Sequence, residues 1–495
     1  MKKIMCFLFV IFVIHTTINA QGLFDAIQKG NLTKVKELVE ENGLLVNENM
    51  SNGIMPLFFA ANTDKTEIVE YLLANGADVN FILLDDYYGI TPLISAIING
   101  NLEMVKMLQQ YGANILYQTK LGENYLHFAA ATKNIEVAKY LIDCGIDVNA
   151  VKSGNLTPLH ITAIYGTVDM AKFLIENGAN LEIKSTDGGA PLHFAIASRN
   201  DEMADLLRAS EAKDIPREFP EYEGKYLGKD TPGDEPELFA PEIFRDIYRS
   251  YSPPVFTPDG KEVFWYGYFL PRTHYSRIWW MREENGKWTA PELAPFSDYT
   301  SWSPSLSKDG NKVYFASRRP LEGKTKNDSD IWYSEKIDGK WSEAKYLGSP
   351  PNRDNLSEML PILSNDGTIY FKAFGRGARG TQMYKSKFVD GKYLEPQSLD
   401  DMIDANEIDD CPDIDHVITY AYGGPRYAEI SICFHKPDGR WTKPMYMGDI
   451  VHQGQGSSNG TLSPDGKYLF FVQNISPYWI DASFIEDLRK EALEK

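Results

Sequence analysis

A period of 33 residues constrains this chain more than any other feature of its sequence. The fragments Pro92-Leu93, Tyr125-Leu126, Pro158-Leu159 and Pro191-Leu192 recur at that spacing, as do Gly112, Gly145 and Gly178. A repeat of this length is too long for a heptad and fits one supersecondary unit stacked on copies of itself. Each unit reads as a turn, a short helix opening at Thr-Pro, a longer amphipathic helix such as Val168 to Glu176, and an Asn-Gly-Ala ending. Six units are expected over residues 21–214. The first, Gly22 to Met50, lacks the Thr-Pro opening and reads as a cap, and extra residues around Leu84-Asp85-Asp86 lengthen the second.

Thr157-Pro158-Leu159-His160 spells the T-P-L-H signature, and Thr91-Pro92-Leu93-Ile94, Ala190-Pro191-Leu192-His193 and Asn124-Tyr125-Leu126-His127 match it in part. The N-terminal half therefore resembles the ankyrin-repeat family. The resemblance implies a protein-binding strip at the hairpin tips and on the exposed side of each first helix. Those positions fall on Tyr87, Tyr88, Ile90, Ile98, Leu121, Leu156, Ile164 and Tyr165, among polar Asn99, Lys120, Glu123 and Thr132. The alternative for the apolar members is padding between repeats or docking of the second domain. The resemblance also makes His127, His160 and His193 hydrogen-bonded joints between repeats, not metal ligands.

Ahead of the repeats, Lys2 and Lys3 precede an apolar run from Ile4 to Ile14, followed by Ile18-Asn19-Ala20. The run is about half of a bilayer span, which predicts a secretory signal peptide over residues 1–20, cut near Ala20. The mature protein is then expected to be periplasmic or secreted, with no membrane span. Cys6 leaves with the signal, and Cys144, Cys411 and Cys433 form no disulfide framework, leaving free thiols or one Cys411–Cys433 bridge. A formal charge of −19 provides no basic footprint for nucleic acid or for anionic lipid.

All nine tryptophans lie at or after Trp265, so the chain changes character partway along. Residues 215–237, rich in Pro, Glu, Asp and Gly, read as a linker, 238–485 as a β domain, and 486–495 as a charged tail. Pro258-Asp259-Gly260, Lys308-Asp309-Gly310, Asn365-Asp366-Gly367 and Pro464-Asp465-Gly466 each precede a β-rich run, the pattern of a tight hairpin. Trp288, Trp341, Tyr393 and Trp441 mark fourth strands spaced by 53, 52 and 48 residues. Four strands per roughly 50 residues is the footprint of a propeller blade. This half resembles the TolB-type WD40-like propeller built on Pro-Asp-Gly repeats. The expected fold is thus multidomain, an ankyrin α-solenoid followed by an all-β propeller of five blades, with six as the alternative. Gly224 to Gly228 repeats the fourth-strand ending Lys345-Tyr346-Leu347-Gly348, so the linker is expected to hold the strand that closes the ring.

Catalytic signatures fail on context. Gly456 to Gly460 spells G-x-S-x-G, but a hairpin follows it and no histidine lies beyond His452. Gly375 to Gly380 spells G-x-G-x-x-G without a following helix to hold a pyrophosphate. The acidic stretch from Asp400 to Asp415 lacks the spacing of a calcium loop and reads as solvated, and no cofactor or metal is expected. If the first strand of each blade is innermost, one mouth of the ring receives Arg272 and His274, Arg318 and Arg319, Arg376 and Arg379, and Arg426. Trp302, Ser357, Glu358, Asp409, Asp410, Ser458 and Asn459 come to the same face. Arginine forks at one mouth favour a planar anion such as a peptide carboxylate or an acidic sugar. The alternative is that the arginines pair with these acids and hold blades together. The expected function is a non-catalytic interaction protein, with a protein partner on the repeats and a peptide, protein or anionic glycan at the propeller. A propeller glycosidase using Asp409 and Asp410 is the competing reading.

Overall fold

The structure is a computed structural model. It describes residues 21–49, 53–83, 89–245, 247, 250, 252–267, 276–321, 328–354, 356–364, 366–375, 382–398, 408–410, 416–422, 428–434, 436, 442–443, 445–447, 450–451, 457–473 and 476–494. Helical ankyrin repeats come first and an all-β region in a propeller-like arrangement follows.

Six helix pairs make the first region: α1 (21–28) with α2 (Leu32–Glu41), α3 (Pro56–Asn62) with α4 (Thr66–Ala74), α5 (Pro92–Asn99) with α6 (Leu102–Gln110), α7 (Tyr125–Ala130) with α8 (Ile135–Asp143), α9 (Pro158–Tyr165) with α10 (Val168–Glu176), and α11 (Pro191–Ala197) with α12 (Asp201–Ala209). Local chemistry sets their ends. Thr91 and Thr157 accept from the amides of Ile94 and His160, and Pro92 and Pro158 occupy the first turn, where a missing N–H costs nothing. Asn101, Asn134 and Asn200 cap α6, α8 and α12 in the same way. After the second helices, Gly76, Gly112, Gly145 and Gly178 take φ values of 85°, 92°, 90° and 89°, a left-handed turn that explains the recurring glycine. The second helices are amphipathic: α10 buries Met170, Ala171 and Leu174 and leaves Asp169 and Lys172 exposed.

Beyond residue 236 the described residues form five antiparallel sheets of four or five strands and one two-stranded ribbon. In four sheets the innermost strand is the first in sequence: Val255–Phe256, Ser301–Leu306, Leu356–Leu363 and Ile408–Asp410. The fifth sheet places Ser457–Leu462 innermost, then Tyr468–Gln473 and Ser476–Asp481. Its outer strand comes from far upstream: Glu237–Leu238 pairs antiparallel with Ser476–Asp481. Gly224 to Gly228 does not provide that strand. Lys225–Gly228 is a tight helical turn in which Tyr226 and Leu227 adopt positive φ, which drives the Tyr226 ring among Phe256, Tyr468, Phe470 and Trp479.

The two regions are in contact. Arg199, just after α11, donates to the carbonyls of Leu293 and Pro295 at 3.1 and 3.0 Å. Arg217 pairs with Asp187 and lies over the rings of Phe194 and Phe219. Residues 484–494, read from sequence as a charged tail from 486 onward, form a docked helix, Phe484–Glu494, with Ile485 and Ala492 buried in a cluster with Ile430, Phe434, Val451 and Phe471. Cys144 and Cys433 are free thiols, and burial pushes Cys433 up to about 12. Cys411 lies outside the described residues.

Candidate binding surfaces

The ankyrin strip is narrower than its sequence pattern. Ile90, Leu156 and Ile164 are 1%, 0% and 9% exposed, so these three belong to the core and not to a solvent-facing strip. Ile90 is turned inward by its bridge to Leu83, and Leu156 by the bridge to Lys152. Glu123 is also buried, with Lys152 at 3.9 Å and the Thr119 hydroxyl donating at 2.9 Å. Ile98, Leu121 and Tyr165 are half-buried, and Asn99 and Lys120 are exposed. Asn99 is also a joint, donating to the Ala61 carbonyl of the preceding repeat at 3.0 Å. Tyr87 and Tyr88 lie outside the described residues.

In the β region, the strand Lys312–Ser317 ends at two arginines that differ sharply. Arg319 bonds Asp298, one contact being 2.8 Å, donates to the Phe296 carbonyl at 3.1 Å, and lies 4.8 and 5.3 Å from the Tyr299 and Trp332 ring centres. It is a fastener of the preceding segment. Arg318 is exposed, forms no ion pair among the described residues, and stands 5.8 Å over the ring of Trp302. Glu358, placed at the mouth by sequence reasoning, is fully buried. Its carboxylate accepts from the Arg353 amide at 3.1 Å, and its own amide donates to Ser329 at 2.9 Å, so it ties the third sheet to the second. Arg272, His274, Arg376, Arg379 and Arg426 lie outside the described residues. Asp409 and Asp410 sit on the inner strand Ile408–Asp410, and Asn459 on Ser457–Leu462.

Sequence reasoning missed the space the inner strands enclose. A cavity of about 720 Å³ runs between them, lined by Ser252, Ser303, Leu360 and Thr461 and approached by Ile485 and Arg489 of the C-terminal helix. Ser303 and Leu360 hold φ values of 54° and 50°, each just before a proline, and the strand pairing breaks register there. A bulge re-aims side chains in this way. The Ser303 hydroxyl is buried and has no hydrogen-bond partner among the described residues. The signal was present: Ser252-Pro253, Ser303-Pro304 and Leu360-Pro361 each fall a few residues before an Asp-Gly hairpin. Among the described residues, no group of three acidic, His or Cys side chains is placed to hold a metal, and no helix is long and apolar enough to cross a membrane.

Comparison with known proteins matches the family model for ankyrin repeats in three copies, over residues 23–119, 89–152 and 126–217. The rat Ankyrin repeat and SAM domain-containing protein 6 is 36% identical over 100 residues, covering 20% of this chain and 11% of that protein. The Arabidopsis thaliana E3 ubiquitin-protein ligase XBAT33 is 36% identical over 114 residues, 23% of this chain and 22% of that one. Among solved structures, the human ASB11 ankyrin repeat domain is 28% identical with a TM-score of 0.35, covering 39% of this chain and 84% of that one. This chain thus spans only a small part, 11% and 22%, of these two curated relatives. The N-terminal half is built of ankyrin repeats, an architecture of protein–protein interaction.

Proposed function

We propose that this chain is an extracytoplasmic interaction protein without catalytic activity, holding a protein partner on its ankyrin surface and a carboxylate-bearing peptide, protein or glycan at the mouth of the β domain. The charged start and short apolar run of residues 1–20 support an exported protein. The observation that carries the ligand reading is the division of labour between Arg318 and Arg319. A guanidinium committed to Asp298 and two aromatic rings is structural, whereas one left exposed over Trp302 retains its planar donors for an anion.

The test uses an array of carboxylate-bearing glycans and peptides. Arg318→Ala should abolish capture with the melting temperature unchanged, whereas Arg319→Ala should lower stability by about 1–2 kcal/mol, as expected for a lost hydrogen bond to a charged partner. Intact capture by Arg318→Ala refutes the site. Turnover of synthetic glycosides that disappears in Asp409→Asn or Asp410→Asn would instead establish the glycosidase reading.

A further inference from the structure

Three sheets carry the same outer hairpin. Asn285-Gly286, Asp338-Gly339 and Asp390-Gly391 turn with φ pairs of 53° and 82°, 49° and 76°, and 49° and 79°. Each turn is followed by a lysine and an aromatic residue: Lys287-Trp288, Lys340-Trp341 and Lys392-Tyr393. The pairings Glu284 with Lys287, Ile337 with Lys340 and Val389 with Lys392 are equivalent. The hairpins are therefore congruent, and what differs is what lies against them.

The first hairpin shows how such an edge is used. The linker runs past it just before the Lys225–Gly228 turn, with Glu223 bridging Lys287, the Trp288 amide donating to the Tyr222 carbonyl at 2.9 Å, and the Trp288 indole donating to the Gly224 carbonyl at 2.8 Å. The Lys287 ammonium meets Glu221 at 2.6 Å. An acidic segment with one tyrosine lies along the hairpin edge through a single antiparallel bridge. Main-chain bonds hold it and lysine selects its charge.

The third hairpin has the same edge without an occupant among the described residues. Phe388–Val389 and Lys392–Tyr393 form a ribbon of only two strands. Antiparallel alternation turns the Tyr393 amide outward, as it does for Trp288, because the neighbouring Leu394 amide is the one that bonds back to Lys387. The surface there is apolar to an unusual degree: Phe388, Val389 and Leu394 are 46%, 43% and 48% exposed. Lys387 and Lys392 stand exposed beside them in a chain of net charge −19. The second hairpin is a poorer candidate, since Ile337 is its one exposed large apolar side chain and Lys336, in the place of Phe388, is taken by Glu262 of the first sheet. Open edges are normally blunted, and this one presents three apolar side chains, with Lys392 standing where Lys287 meets Glu221 on the first hairpin and Asp390 and Glu395 set apart at the turn and beyond Leu394.

We propose that the hairpin Phe388–Tyr393 is a docking edge for an extended acidic, aromatic segment of a partner protein, taken up along that edge in the way the chain's own Glu221–Gly224 lies on the first hairpin. This goes beyond the ankyrin and mouth surfaces and does not depend on them. The probe is a fluorescein-labelled peptide with the sequence of residues 219–226, titrated against the full chain and followed by anisotropy. Saturable binding is expected, weakened about tenfold by Lys392→Glu and likewise by Val389→Asp. Both sites are exposed, and unchanged circular dichroism confirms that the variants fold. Lys340→Glu, the equivalent change on the second hairpin, should leave peptide binding untouched. Three results overturn the proposal: no saturable binding, binding indifferent to both hairpin variants, or binding abolished by Lys287→Glu and not by Lys392→Glu, which would mean exchange with the chain's own segment.

Discussion

The helical and β regions both repeat, yet they fasten their repeats differently. In the helices the joint reaches forward into the next unit. The His127 Nδ1 accepts from the Asn124 amide at 3.2 Å, and its Nε2 meets the Leu156 carbonyl at 3.1 Å. His160 does the same between Thr157 and Gly189, and His193 between Ala190 and Ile215. In the sheets the joint that recurs from hairpin to hairpin closes on itself, and the ties between sheets, such as Glu262 with Lys336 and Glu358 with Ser329, differ from one pair to the next. Thr257, Ser307, Ser364 and Ser463 each donate to the aspartate two residues on, at 2.6, 2.6, 2.6 and 2.7 Å. A joint between units couples them, and a joint within a hairpin secures only that hairpin. A lost histidine joint should therefore weaken two helical repeats at once, and a lost aspartate joint one hairpin alone.

The chain supplies its own probes for this contrast. Because every tryptophan lies at or after Trp265, tryptophan emission reads only the β half, while helical circular dichroism is dominated by the repeats. The largest effect is expected at the seam. Phe239 is fully buried among Phe244, Phe256, Phe470 and Trp479, with ring centres 5.0 to 6.0 Å away. Phe239→Ala should cost about 3–5 kcal/mol, seen as an early tryptophan transition. A helical transition that shifts equally would show the two halves to be one cooperative unit and break the comparison.

Acid should act next, and on the other half. Burial holds His127 down at about 4 and His160 at about 3, because a charged imidazole there has lost its water. Both groups are neutral in the fold, so their contribution is complete above the unfolded value of roughly 6.5 and is lost as pH falls through that value toward the folded ones. At pH 5 the loss is about 2 kcal/mol for each. The hairpin carboxylates titrate lower. The Ser307 hydroxyl and the Asn311 amide hold Asp309 below the ordinary range. Burial pushes Asp259, Asp366 and Asp465 up, but hydrogen bonds from neighbouring hydroxyls and amides outweigh it and leave them low too. Their contribution persists until pH falls below about 4. Two-stage acid unfolding is expected, helical signal first and tryptophan emission second, and coincident curves would refute it.

The smallest effect is a single hairpin. Asp309→Ala removes the acceptor of the Ser307 hydroxyl and of the Asn311 amide, which should cost about 1 kcal/mol in a urea titration followed by tryptophan emission. The helical midpoint should not move.

The same contrast explains what the sequence made legible. Thr-Pro openings, Asn-Gly-Ala endings and Asp-Gly turns are local demands of the backbone, and each left a residue type at a fixed spacing. Long-range partners left none. That Arg319 is committed, while Arg318 forms no ion pair among the described residues, rests on Asp298, which is 21 residues upstream of Arg319. Ile90 and Leu156 resemble exposed positions until the bridges to Leu83 and Lys152 turn them inward. Glu237–Leu238 is too short to register as a strand, and only its partner, Ser476–Asp481, defines it.

That seam also has a consequence in time. Tyr226 donates to Asp465 at 3.0 Å across 239 residues of chain. At synthesis rates of about 5–20 residues per second, the upstream half of the contact waits roughly ten to fifty seconds for its mate. Non-local pairing of this kind folds slowly, and an unpaired strand edge invites the wrong partner meanwhile. The helical repeats, whose contacts are local, can form first. The segment that waits is then tethered to a finished domain, and the last sheet of the ring is completed against it.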